Sequence, residues 1–154
     1  IGLRYKGFCG DACYTFPVGK ISAGAQRLLD ITQECLRRGI AAAQAGNYLN
    51  DIGEAIHAYA DKQSVGVVRE WGGHGIGRSL HESPSVSHVR KAQRGPRLRP
   101  GMTFTIEPMI NEGTPEWILL NDGWTVITAD GKLSAQFEHT IAITRNGPEI
   151  LTLP

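Results

Sequence analysis

At 154 residues, with 41% apolar content and a formal net charge of +1, the chain can bury the core of one domain, taken as residues 1–154. It is too nearly neutral for overall charge to favour a nucleic acid or an anionic membrane. No apolar run approaches the roughly 20 residues of a membrane span, and the opening Ile1-Gly2-Leu3-Arg4-Tyr5-Lys6 lacks the pattern of a secretory signal. Three cysteines, Cys9, Cys13 and Cys35, are odd in number and lack metal-finger spacing, which points to a reducing, cytoplasmic compartment. The chain starts within a strand-like pattern and without methionine, so a preceding segment is expected.

Residues 1–18 read as a β-hairpin. Lys6-Gly7 offers the turn; if the two-residue loop is instead Tyr5-Lys6, Asp11 would face the position just before Ile1, a register open to a slip of one or two residues. Asp11 is an acid inside a β run, which suits a turn or bulge as well as a ligand. Residues 22–45 carry apolar positions at helical spacing, among them Leu28, Leu29, Cys35 and Leu36, with Gly46 as the stop. A second helix starts near Asn50 as N-cap and buries Ile52, Ala55, Ile56, Tyr59 and Ala60. His57 lies off that stripe and reads as a surface histidine.

Residues 65–68 form a short buried strand, after which glycine-flanked His74 is presented on a bare loop. A histidine at a strand's end is a candidate metal ligand or acid-base group. Residues 83–100 show no hydrophobic period and read as a long surface connection. Arg90, Lys91, Arg94, Arg97 and Arg99 admit contact with RNA or a ribosome. Without interleaved aromatics to stack bases, a solvated loop is the stronger reading.

Residues 102–107 alternate strictly, putting Thr103, Thr105 and Glu107 on the polar face before Pro108 ends the strand. Residues 123–128 and 134–144 are expected to pair as a hairpin around Ala129-Asp130-Gly131-Lys132. In the second of these, Gln136, Glu138 and Thr140 share one face. A glutamate in so apolar a strand is costly unless paired or metal-bound.

Asp11, Glu107 and Glu138 on strands, with His74 nearby, make a hard, oxygen-rich donor set suited to Mn, Fe, Co or Zn. Three converging carboxylates repel one another unless a cation is present. A metal with an open position would lower the pKa of a bound water and yield a hydroxide nucleophile.

Four segments carry a family resemblance: Gly73-His74-Gly75-Ile76-Gly77 followed by His81-Glu82, residues 99–109 around Glu107, residues 134–140 around Glu138, and Gly7-Phe8-Cys9-Gly10-Asp11. Taken in chain order, from residue 7 to residue 144, they resemble the type I methionine aminopeptidases of the pita-bread metallopeptidase fold. The resemblance implies an α/β fold with a curved antiparallel sheet covered by a helix pair. It implies removal of the initiator methionine from nascent peptides by metal-hydroxide attack on the first peptide bond, in a cytoplasmic, monomeric enzyme.

In that family pattern Asp11 and Glu138 bridge two divalent ions, while His74 and Glu107 complete one ion's shell. Glu107 is also the general base, and His81 steadies the scissile carbonyl. Trp124 lines the methionine pocket with Leu80, which stands where many relatives have phenylalanine, and Gln136 supports the metal shell. A further aspartate ligand falls just before Ile1, in a missing N-terminal half that also carries a second catalytic histidine. Two alternatives share the fold: a non-catalytic peptide-binding module and an Xaa-Pro peptidase, whose branch is less similar around Gln136-Phe137-Glu138.

Overall fold

The computed structural model describes residues 1–153. Strands β1 (Gly2–Tyr5) and β2 (Phe8–Cys13) form the expected hairpin. Its loop is Lys6-Gly7, with φ of 48° and 85°. Two consecutive positive φ angles give the mirror-image turn whose twist matches the strands it joins. The register therefore differs by two residues from the expected one: Tyr5 pairs with Phe8 and Asp11 faces Gly2.

Helix α1 (Ala23–Ala42) is capped by Ser22, whose hydroxyl accepts from the Ala25 N–H at 3.1 Å. Helix α2 (Leu49–Gln63) starts ahead of Asn50, with Tyr48 in the cap position. The Asp51 carboxylate takes the Tyr48 N–H at 2.8 Å, while the Asn50 amide donates to the Gln93 carbonyl at 2.6 Å. Asn50 thus ties down a neighbouring segment instead of capping the helix. The two helices pack together, and Leu28, Leu29, Ile31, Leu36, Ile52 and Ile56 on them are all buried. His57 is half-buried, and its Nδ1 accepts from the Arg90 N–H at 3.1 Å.

The remaining strands are β3 (Gly66–Val67), β4 (Gly73–Gly75), β5 (Glu82–Val86), β6 (Thr103–Ile106), β7 (Met109–Asn111), β8 (Trp117–Leu119), β9 (Val126–Thr128), β10 (Ser134–Gln136), β11 (Glu138–Thr144) and β12 (Gly147–Ile150). The main sheet runs β1-β2-β11-β6-β4-β5, with β12 added alongside β11. A smaller sheet orders β10-β7-β3. Every pairing is antiparallel. Phe104, Ile106, Ile110, Ile141 and Ile143 fill the space between the sheets and the helix pair. Each such side chain contributes about 1.5–3 kcal/mol by burial.

Three expectations are corrected here. The His74 segment is a strand, and its glycines serve close packing. A Cβ at Gly73 would collide with the Thr105 carbonyl, and one at Gly75 with the Ser83 carbonyl. Residues 83–100 are not a surface connection, because Val86, His88, Val89 and Leu98 are buried and β5 pairs with β4. The basic stretch is pinned to the start of α2 by Leu98 N–H to Asn47 O at 2.8 Å and Leu49 N–H to Pro96 O at 2.9 Å. Tyr48 lies between the guanidiniums of Arg94 and Arg97, 5.0 and 5.1 Å from its ring centre.

Finally, β9 pairs with β8, and β10 pairs with β7, so residues 123–128 do not form a hairpin with 134–144. The turn signal at 129–132 joins two different sheets. No helix among the described residues is long and apolar enough to cross a membrane.

Candidate metal centre

Four neighbouring strands of the main sheet, β2, β11, β6 and β4, each bring one predicted ligand. Asp11 lies on β2, Glu138 opens β11, Glu107 follows the last residue of β6, and His74 is the middle residue of β4. Antiparallel register sets their alignment. His139 pairs with Ile106, so one further step along these strands sets Glu138 opposite Glu107. The β4–β6 pairing of Gly75 with Phe104 likewise brings His74 beside Thr105.

One donor atom each from Asp11, His74 and Glu138 lie within 4.8 Å of one another. Glu107 adjoins them through His74, with 3.5 Å between His74 Nε2 and Glu107 Oε1.

The donors fit a divalent ion. Three donor atoms within 4.8 Å of one another are near enough to share one ion, whose bonds to such nitrogens and oxygens run about 2.0–2.2 Å. Glu138 is 6% exposed, and its Oε1 has no hydrogen-bond partner among the described residues. Such an orphaned carboxylate oxygen is expensive unless a cation meets it. Its carboxyl is pushed up to about 8, first by burial and then by the nearby charges of Glu107 and Asp11. Glu107 is raised as well, chiefly by burial, against the lowering effects of its Thr105 hydrogen bond and of His74. His74 Nδ1 lies 3.1 Å from its neighbour's carbonyl at Gly75, so that nitrogen carries the proton and Nε2 keeps its lone pair for a ligand bond.

Supporting hydrogen bonds hold the ligands in place. The Thr105 hydroxyl accepts from the His74 N–H at 3.0 Å and donates to Glu107 Oε1 at 2.7 Å. The Thr140 hydroxyl accepts from the Asp11 N–H at 3.0 Å and donates to the Asp11 carbonyl at 2.8 Å. Gln136 Nε2 donates to Glu107 Oε2 at 3.3 Å. Cys13 Sγ lies 3.8 Å from Gln136 Oε1, and burial together with the Glu138 charge raises its thiol.

Thr105 and Thr140 were missed as site residues, though each lies two positions from a ligand on the same strand face. That period-2 relation was the available signal.

The other predicted residues are distributed unevenly. His81 is exposed, with its ring edge-on to His74 at 4.3 Å between centres. Leu80 lies beside β1, where a Cβ at Gly2 would be 3.2 Å from Leu80 Cδ1 and 3.6 Å from Asp11 Oδ1. Trp124 stands apart in the β8–β9 turn, 86% exposed. The Asp122 carboxylate holds that turn by accepting from the Trp124 and Thr125 N–H groups.

A curled antiparallel sheet backed by two helices, with carboxylates and an imidazole converging on its open face, defines a metallopeptidase-type centre. The chain belongs to metallopeptidase family M24, whose model matches residues 1–145. It is 58% identical over 147 residues to methionine aminopeptidase A of Synechocystis, covering 96% of this chain and 58% of that protein. The structure of methionine aminopeptidase from Rickettsia prowazekii superposes with a TM-score of 0.95 at 44% identity, covering 99% of this chain and 62% of that one. The prolidase from Pyrococcus horikoshii, at 24% identity and a TM-score of 0.73, shares the fold. The pita-bread architecture expected from the sequence is thus present. The chain spans about three-fifths of the length of the curated relatives it matches.

Proposed function

We propose that the protein containing this chain is an aminopeptidase that removes N-terminal methionine from peptides and nascent proteins. The observation that carries this reading is the convergence of Asp11, His74 and Glu138 around an unpartnered, buried carboxylate oxygen. Asp11, His74, Glu107 and Glu138 would hold up to two divalent ions of the Co, Mn, Fe or Zn class, which when bound supply Lewis acidity and bring water's pKa into the neutral range. Burial keeps Glu107 a stronger base than a surface carboxylate. It takes a proton from the attacking water as the oxygen adds to the first peptide carbonyl. The same proton passes to the leaving amine when the C–N bond breaks.

His81, exposed and packed edge-on to His74, is placed to donate to the developing oxyanion. Leu80, beside Asp11 on the β1 side, offers apolar surface for the methionine side chain, whereas Trp124, 86% exposed in the β8–β9 turn, is left out of that surface. We further assign the protein to the cytoplasm as a monomer.

Hydrolysis by the full-length protein, supplied with Mn or Co, tests the reading. Met-Ala-Ser is expected to release methionine and Ala-Pro to remain intact. Cleavage of Ala-Pro alone would make the protein an Xaa-Pro peptidase. Binding of both peptides without cleavage would make it a non-catalytic module.

A further inference from the structure

We propose that His88 is a positioning residue for Glu107, holding that ligand through its main chain. The proposal rests on the assignment of Glu107 to the metal centre made above. Glu107 sits in the two-residue gap between β6, which ends at Ile106, and β7, which starts at Met109, and Pro108 carries no N–H. A peptide N–H left unpaired at half-buried Glu107 would carry a desolvation cost. His88, from the segment just after β5, meets it. Its Nε2 accepts from the Glu107 N–H at 3.1 Å. The imidazole is 1% exposed, fully enclosed by the fold.

Accepting through Nε2 fixes the ring as the neutral tautomer protonated at Nδ1. That second nitrogen has no partner among the described residues. The ring is therefore held for a single bond, the one to Glu107. An apolar side chain of similar size would fill the same space without the unpaired Nδ1–H but would strand the Glu107 N–H, so packing alone does not account for a histidine here.

The consequence reaches the site because two anchors act on one residue. Thr105 and Gln136 hold the Glu107 carboxylate at its tip, while His88 takes its N–H at 3.1 Å and Gln136 Nε2 reaches its carbonyl at the longer 3.4 Å. With the Glu107 N–H released, its main chain keeps only the 3.4 Å contact from Gln136 Nε2 to its carbonyl between the paired residues Ile106 and Met109, and the carboxylate gains freedom at that link. Groups that orient metal ligands in this way affect metal affinity about 10- to 100-fold.

The test uses the full-length protein with His88→Leu, His88→Gln and His88→Asn. Glutamine places its Oε1 near the position of Nε2 and can accept the same bond, whereas leucine cannot accept and asparagine falls short. In metal-free protein, NMR hydrogen exchange of the Glu107 amide should accelerate at least about tenfold in the leucine and asparagine variants relative to the Thr105 amide, and stay near wild type in the glutamine variant. Mn affinity by titration calorimetry should weaken about 10- to 100-fold in leucine and asparagine and recover to within about threefold in glutamine.

If leucine fails to fold, the glutamine–asparagine contrast decides. Equal losses in glutamine and asparagine, or wild-type exchange and Mn affinity in asparagine, would overturn the proposal. Both readouts are independent of peptide cleavage. A protein that binds Mn through Glu107 but leaves methionine peptides intact would refute the assigned activity while leaving the role of His88 standing.

Discussion

Glu138 should make the metal-free protein lose stability as pH rises, and Glu138→Gln should remove that dependence. A carboxyl raised from an ordinary 4.5 to about 8 is protonated in the folded state over a range where the unfolded chain is ionised. Its contribution is fully present below about pH 4.5 and is lost as pH rises through about 8. Each pH step between those values costs about 1.4 kcal/mol, so about 3 kcal/mol is lost by pH 7. Glutamine is neutral throughout and close in shape to the protonated acid, which isolates the effect of charge. The assay is urea unfolding in chelator at pH 5 and pH 8. The wild type should fall further than the variant by about 3–4 kcal/mol. With Mn present the trend should reverse, because the metal binds the deprotonated form and gains affinity as pH rises. Parallel stability curves for wild type and variant without metal would refute the claim that Glu138 is an uncompensated buried acid.

Two further substitutions separate packing from ligand support. Gly73→Ala drives a methyl group into the Thr105 carbonyl across the β4–β6 contact and should destabilise the protein by at least about 2 kcal/mol in urea unfolding. Thr105→Val keeps the shape but removes the hydroxyl that links the His74 N–H to Glu107. It should weaken Mn binding about tenfold in calorimetric titration.

Much of the site was legible because its ligands obey strand periodicity. Glu107 and Glu138 stood out as acids on the polar faces of alternating strands, and the antiparallel register then set them opposite each other. Both helices were readable from their apolar spacing, whereas neither cap was, Ser22 on α1 and Tyr48 on α2. The failures arose where non-local pairing decides. Pairing of β9 with β8, and of β10 with β7, depends on which sheet each edge joins, which the Gly131 turn signal does not encode.

Residues 83–100 looked polar because prolines and arginines interrupt the pattern, yet Leu98 and His88 are anchored by contacts with distant segments. The Lys6-Gly7 turn was legible from its glycine, but the register counted from Tyr5-Lys6 was two residues off, because a positive φ at Lys6 is invisible in its residue type. The glycines around His74 were correctly noticed but misread. They admit neighbouring strands rather than expose a loop.

The central claim, that Asp11, His74 and Glu138 hold a divalent ion, is tested most directly by anomalous diffraction from crystals of the full-length protein soaked in Mn. The account predicts an anomalous peak about 2.0–2.3 Å from donor atoms of Asp11, His74 Nε2 and Glu138, and its loss in Glu138→Ala. Saturating Mn with no peak at these three side chains, or a peak unchanged in Glu138→Ala, would contradict it.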